Sequence, residues 1–281
     1  MIFKNIGVIK HRKKDPDFKC ADNLTDYLSD ISDKINQNID IYCSEKYSLE
    51  DLYEICDVLI IFGGDGSILK IAPAASKRNI PVIGINLGRI GYMSEIETNE
   101  TYLLENIFNN NYIIKNRMML DVEIIKSDGE ILQAGTALND AVVTHGVLAK
   151  LIETELSRGG VKITDYRSDG IIAATPTGST AYSMSAGGPV IDPDIECFCV
   201  TPICPHSLVN RPLIFSCGSV LEIRNKNADS GVYLTIDGQV NIKLEENDIV
   251  KIKKSEYYAK FISVKKRGFF DVLREKISGG F

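Results

Sequence analysis

The stretch Asp57-Val58-Leu59-Ile60-Ile61-Phe62-Gly63-Gly64-Asp65-Gly66-Ser67 carries the reading of the fold. The apolar run from Val58 to Phe62 has no polar alternation, which is the pattern of a strand covered on both faces. Glycines end it, and the spacing from Ser67 to Ser76 is helical. The same alternation extends outward. Upstream, Ile6-Gly7-Val8-Ile9 is a short strand, Leu24, Tyr27, Leu28, Ile31 and Ile35 mark one face of a helix, and Ile39-Asp40-Ile41-Tyr42 is a second strand. Downstream, Pro81-Val82-Ile83-Gly84-Ile85 is another buried strand. Strands alternating with helices predict a parallel sheet with helices on its faces, an α/β domain over residues 1–115.

After residue 112 the texture changes. Tyr112 to Ile125, turning at Ser127-Asp128-Gly129 into a strand from Ile131 to Val143, reads as a hairpin. Short strands are expected at Leu151–Leu156, Ile171–Ala174, Phe198–Ile203, Val220–Arg224, Val232–Ile236 and Ile249–Ile252. This predicts an all-β domain over 116–264. A helix at Phe270–Ile277 lies in a tail, 265–281, expected to return to the first domain.

Composition narrows the function. Of the 281 residues, 44% are hydrophobic and 25% charged, and Lys+Arg 32 against Asp+Glu 38 gives a net charge of −6. An acidic chain gives phosphate-backbone binding no bulk electrostatic support, so nucleic acid is not an expected partner. No apolar run approaches the roughly eighteen residues that a membrane helix needs. The segment Met1 to Ile6 lacks a charged region followed by an apolar core, and seven scattered cysteines suit a reducing compartment, so a cytoplasmic protein is expected. Cys197, Cys199, Cys204 and His206 lack the usual zinc-ligand spacing, and the cysteines read as buried thiols.

Three stretches carry chemistry. In Gly63-Gly64-Asp65-Gly66-Ser67 the glycines let a ligand approach backbone, and the following helix start offers unpaired N–H groups to a phosphate. Asp65 is the informative residue: beside phosphates a carboxylate is unfavourable unless it holds a metal, accepts a proton or binds a hydroxyl. The plainer alternative is Asp as a helix cap in a tight turn. Next, Thr175-Pro176-Thr177-Gly178-Ser179-Thr180-Ala181-Tyr182-Ser183 places six hydroxyl residues within nine positions. These suit a ligand with ribose and phosphate groups, with Tyr182 able to stack on a base; a solvated turn is the alternative. Last, in Leu138-Asn139-Asp140-Ala141 the Asn offers donor and acceptor together and the Asp can accept from vicinal ribose hydroxyls, against an Asx turn as the alternative.

These stretches together resemble the NAD kinase family. The likeness includes Gly63–Gly66, Gly84-Ile85-Asn86-Leu87-Gly88-Arg89-Ile90-Gly91-Tyr92, Leu138-Asn139-Asp140, Asp169 to Tyr182, and Pro202-Ile203-Cys204-Pro205-His206-Ser207-Leu208. It implies a Rossmann-like α/β domain joined to a C-terminal β-sandwich, and phosphoryl transfer from ATP to the 2′-hydroxyl of the adenosine ribose of NAD. It implies Asp65 as proton acceptor, with Gly66 and Lys70 beside the ligand and Asn139 and Asp140 binding NAD. Further contacts are implied for Lys150, Arg167, Asp169, Thr180, Ala181, Tyr182, Ser183, Met184, Ser185 and Gln239. Two positions depart from the family's habit: Asp140 where Glu is common, and Lys150 where Arg is common. Magnesium is expected to arrive with the nucleotide, and a homotetramer or homodimer is implied. Two rivals make different demands. A lipid kinase shares the glycine–Asp loop but not the hydroxyl-rich stretch; a non-catalytic NAD sensor has no need of Asp65.

Overall fold

The computed structural model describes residues 3–12, 14–35, 39–88, 91–146, 150–207, 210–228 and 231–278. The chain divides into two compact units, Met1–Asn116 with Ala259–Phe281, and Arg117–Tyr258.

In the first unit, β1 (Asn5–Ile9), β2 (Asp40–Cys43), β3 (Val58–Phe62) and β4 (Val82–Asn86) form a parallel sheet in the order β2-β1-β3-β4. Ile6 stands opposite Val58, and Ile60 opposite Ile83. The uninterrupted apolar runs of β3 and β4 are buried at every position, the consequence of covering both faces. Helix α1 (Lys19–Ile35) sets Leu24, Leu28 and Ile31 into a core with Ile6, Val8, Val58, Ile60, Phe62 and Ile83. A second helix, α2 (Leu49–Ile55), was not expected; Ser48 and Asp51 close a capping box at its start. Helix α3 (Asp65–Lys77) follows β3, and β5 (Ile96–Glu97) extends β4. After a 3₁₀ turn and the one-turn α4 (Glu105–Phe108), the chain leaves this unit. It returns at the end: Phe261 pairs parallel with Val82, and α6 (Phe269–Ser278) closes the chain.

The second unit is a sandwich of two antiparallel sheets. One contains β9 (Ile152–Arg158), β10 (Val161–Ser168), β14 (Leu221–Asn225) and β17 (Ile249–Ser263), with the β6 (Ile113–Ile125) and β7 (Ile131–Ala137) hairpin. The other runs β13 (Leu213–Ser216), β12 (Cys197–Ile203), β11 (Gly170–Ala174), β8 (Asp140–His145), β15 (Val232–Ile236), β16 (Val240–Leu244), and the one-turn α5 (Tyr182–Ser185) lies between β11 and β12 in the chain. Leu120, Leu156 and Ile223 from the first sheet pack with Val143, Ile171, Phe198 and Leu234 from the second. The α/β-plus-sandwich architecture expected from the sequence is the observed one.

The expected strand from Ile131 to Val143 is in fact two. β7 pairs with β6, whereas β8 pairs with β11 and β15 in the opposite sheet. The break at Leu138-Asn139 has a cause: the amides of Leu138, Asn139 and Asp140 donate to the Asp237 carboxylate at 2.7, 2.8 and 3.0 Å instead of to a ladder. β10 was likewise unexpected. The reading of the cysteine cluster as buried holds for Cys197 and Cys199, but Cys204 is exposed, in a left-handed turn with φ 44°. No helix among the described residues is long and apolar enough to cross a membrane.

Candidate active site

In the first unit the site grows from the end of β3. Gly63 has φ 145°, and a Cβ there would stand 2.1 Å from Ser67 Oγ, so this position requires glycine. Its N–H donates to the carbonyl of Ile85, tying the loop to β4. Gly64 is the N-cap of α3, which makes Asp65 the first helical residue rather than the cap. The capping alternative is thereby corrected. The carboxylate points to another segment, where Oδ2 accepts the N–H of Tyr92 at 2.9 Å and Oδ1 that of Met93 at 3.0 Å. A Cβ on Gly91 would lie 2.1 Å from Asp65 Oδ1, so any side chain there would displace the carboxylate. Gly66 is exposed, with nothing within 4 Å of a hypothetical Cβ, and Lys70 is exposed on the same helix face one turn later. Lys14, which sequence reasoning missed, brings its ammonium to 3.2 Å from where a Gly64 Cβ would be.

In the second unit, Asn139 and Asp140 sit at the start of β8, where Asp237 has gathered their amides. The hydroxyl-rich stretch locks the same point from the other side. Thr175 Oγ1 donates to the Leu138 carbonyl at 2.6 Å, Thr175 N–H donates to the Asn139 carbonyl at 2.8 Å, and Gly178 N–H donates to Thr175 Oγ1 at 3.0 Å. A Cβ on Gly178 would fall 2.1 Å from the Asn139 carbonyl oxygen. Much of that stretch therefore holds the Asn139 turn rather than facing solvent. Asn139, Asp140, Ala181 and Tyr182 line one cleft of about 400 Å³, together with Val142, Thr144, Thr235, Asp237 and Gly238.

Electrostatics set this cleft apart. Burial, and then the charge of Asp237, push the Asp140 carboxyl up to about 7. Burial also raises Asp237, against the lowering effect of the three amides that donate to it. Among the described residues Asn139 Oδ1 is buried without a hydrogen-bond partner, an acceptor that is costly to leave unmet unless a ligand donates to it.

Other expected residues lie elsewhere. Among the described residues, Lys150, Arg167, Asp169 and Gln239 do not line this cleft. Lys150 and Gln239 are exposed, and Arg167 stands 3.8 Å from Glu153. Asp169 bonds through its N–H to the Ile203 carbonyl, and the buried Thr180 hydroxyl donates to the Thr177 carbonyl. Ser183 is buried and its hydroxyl shares a hydrogen bond with Thr201 at 2.9 Å, so it supports the loop from inside, while Met184 and Ser185 are exposed beside it. Asp237 was missed although Asp237-Gly238 is a turn signal directly before Gln239.

Comparison with known proteins decides the family. The ATP-NAD kinase N-terminal domain matches residues 6–112 and the ATP-NAD kinase C-terminal domain matches 138–264. The chain belongs to the NAD kinase family. It is therefore a phosphotransferase that acts on NAD. An NAD kinase of Natranaerobius thermophilus is 37% identical over 99% of both chains, and one of Trichlorobacter lovleyi is 40% identical over 80% of this chain and 79% of its own. An NAD kinase from Archaeoglobus fulgidus, solved in complex with ATP, superposes with a TM-score of 0.75 at 27% identity, covering 96% of this chain and 98% of that one. Yeast NADH kinase complexed with NADH shares the fold, with a TM-score of 0.82 at 23% identity over 99% of this chain and 88% of that one.

Proposed function

We propose that this chain uses ATP to phosphorylate the 2′-hydroxyl of the adenosine ribose of NAD, giving NADP, with Asp65 as the proton acceptor. The observation that carries the role of Asp65 is its setting: an acceptor-only carboxylate at the start of α3, aimed by two backbone N–H groups in a loop of glycines. A secondary ribose hydroxyl is a poor nucleophile near neutral pH, and a fixed carboxylate that takes its proton lowers that barrier. The rest of phosphoryl transfer is positioning and charge neutralisation. The helix start, Gly66 and Lys70 offer N–H groups and a cation to the phosphates.

Asn139 recognises adenine: its unmet buried Oδ1 accepts from the exocyclic amine. Ionised Asp140 accepts from the ribose, and Tyr182 packs on the base. Thr180, Ala181, Ser183, Met184 and Ser185 shape the cleft wall, with Ser183 acting through Thr201, while Lys150, Arg167, Asp169 and Gln239 contact the remaining polar parts of the ligand. Among the described residues there is no group of three His, Cys, Asp or Glu side chains suited to hold a metal. Magnesium arrives with the nucleotide, as Mg-ATP. We further infer a cytoplasmic homotetramer, since an all-β unit with exposed apolar strand residues such as Val161 and Ile214 provides contact surface. Incubation with NAD and Mg-ATP should give a product whose phosphorus NMR signal is that of a ribose 2′-monophosphate; phosphorylation elsewhere or of a lipid would refute the reading. Light scattering at 31.1 kDa would refute the assembly.

A further inference from the structure

The C-terminal helix is built onto the residue that holds Asp65. Tyr92, whose N–H donates to Asp65 Oδ2, has its ring against two residues of α6: Phe269, with centroids 6.4 Å apart, and Lys276, whose Nζ lies 3.9 Å from the ring centroid. The other charges in this segment are engaged locally. Arg267 pairs with Glu275, Arg274 stands 3.7 Å from Asp271, and Asp271 also accepts the N–H of Gly268. Among the described residues Lys276 makes no ion pair; its ammonium is met by the Tyr92 ring, and the negative charge of Asp65 reaches it. Burial pushes this lysine below the ordinary range and Asp65 works against that, as expected of a cation drawn from water toward a carboxylate.

We propose that Lys276 is a positioning residue of the phosphoryl-transfer centre: by gripping the Tyr92 ring from α6 it fixes the N–H that aims the Asp65 carboxylate. The inference rests on the reading of Asp65 as proton acceptor. Its physical basis is that a cation–π contact withdrawn from water is stronger than an exposed one, and that catalysis by a positioned base falls steeply with sub-ångström displacement. A further consequence is that a helix some 200 residues downstream in sequence is part of the catalytic apparatus rather than a terminal ornament.

The test uses the full chain with NAD and Mg-ATP. Lys276→Met should lower kcat by about tenfold while the KM for NAD stays within about twofold, because the NAD-recognising cleft is untouched. Lys276→Arg, which also stacks on aromatic rings, should recover kcat to within about threefold. In a Tyr92→Leu background, where the ring is gone, Lys276→Met should add less than about twofold. Wild-type kcat in Lys276→Met overturns the proposal, and so does a loss that Arg does not rescue or that is as large with Leu at position 92. If Lys276→Met fails to fold, Lys276→Gln and the Arg variant carry the same comparison. Asp65→Asn is measured alongside: turnover near wild type there removes the reading of Asp65, whereas slow Asp65→Asn with fast Lys276→Met removes only the role of Lys276.

Discussion

The Asp140–Asp237 pair should make NAD binding depend on pH, given the role proposed for Asp140. Asp237 is fixed by three backbone N–H donors, and burial, with the Asp237 charge added, pushes Asp140 up to about 7. At pH 8 about nine-tenths of Asp140 is ionised, and at pH 6 about one-tenth. If the ribose hydroxyls require the ionised form, the Kd for NAD should rise about tenfold between pH 8 and pH 6. Asp237→Asn removes the repelling charge, so the midpoint should move to lower pH, even if loss of one amide partner weakens binding overall by about 1–3 kcal/mol. The effect on folding has the opposite sign. Asp140 keeps its proton to higher pH in the folded than in the unfolded chain, so stability falls as pH rises from about 4 to about 7, while NAD, binding the ionised form, offsets that loss. Calorimetric titration of NAD from pH 5.5 to 8.5, without ATP, reads the binding term free of chemistry. A Kd that changes by less than about twofold between pH 6 and pH 8 would refute the reasoning, as would an unmoved midpoint in Asp237→Asn.

Two glycines give further tests. Gly91→Ala pushes a methyl to 2.1 Å from Asp65 Oδ1 and should cut kcat by at least about tenfold with little change in NAD affinity, read by steady-state kinetics with calorimetry. Gly178→Ala drives a methyl into the Asn139 backbone, so thermal denaturation should show a loss of about 1–3 kcal/mol, with weaker NAD binding in whatever remains folded.

How far the sequence reaches is set by how local each cause is. The β3 strand and the glycine loop were legible because apolar continuity and the glycines sit in one run, from Val58 to Gly66. α2 was open to reading through Ser48 and Asp51 but is only 7 residues long, too short for its apolar period to stand out. The split between β7 and β8 was not legible, since it depends on Asp237, some hundred residues away in the chain. Direction is harder still than position. Ser183 and Tyr182 are adjacent in the hydroxyl-rich stretch, yet one is buried on Thr201 and the other opens onto the cleft. Asp65 was picked out by its chemistry, while its partners Tyr92 and Met93 are backbone amides, which no side-chain pattern announces.

The most direct test is single-turnover formation of NADP by Asp65→Asn, with NAD and Mg-ATP saturating. Asparagine keeps one acceptor oxygen for the Tyr92 and Met93 amides but sets an NH₂ against the other, so a stability loss of about 1–2 kcal/mol is expected and the chain should remain folded at 25 °C. Lacking a proton acceptor, the variant should make NADP about 10²–10⁴-fold more slowly than the wild type while binding NAD with similar affinity. A folded variant that turns over within a few-fold of the wild type would contradict the account, because the proton of the 2′-hydroxyl would then leave by another route.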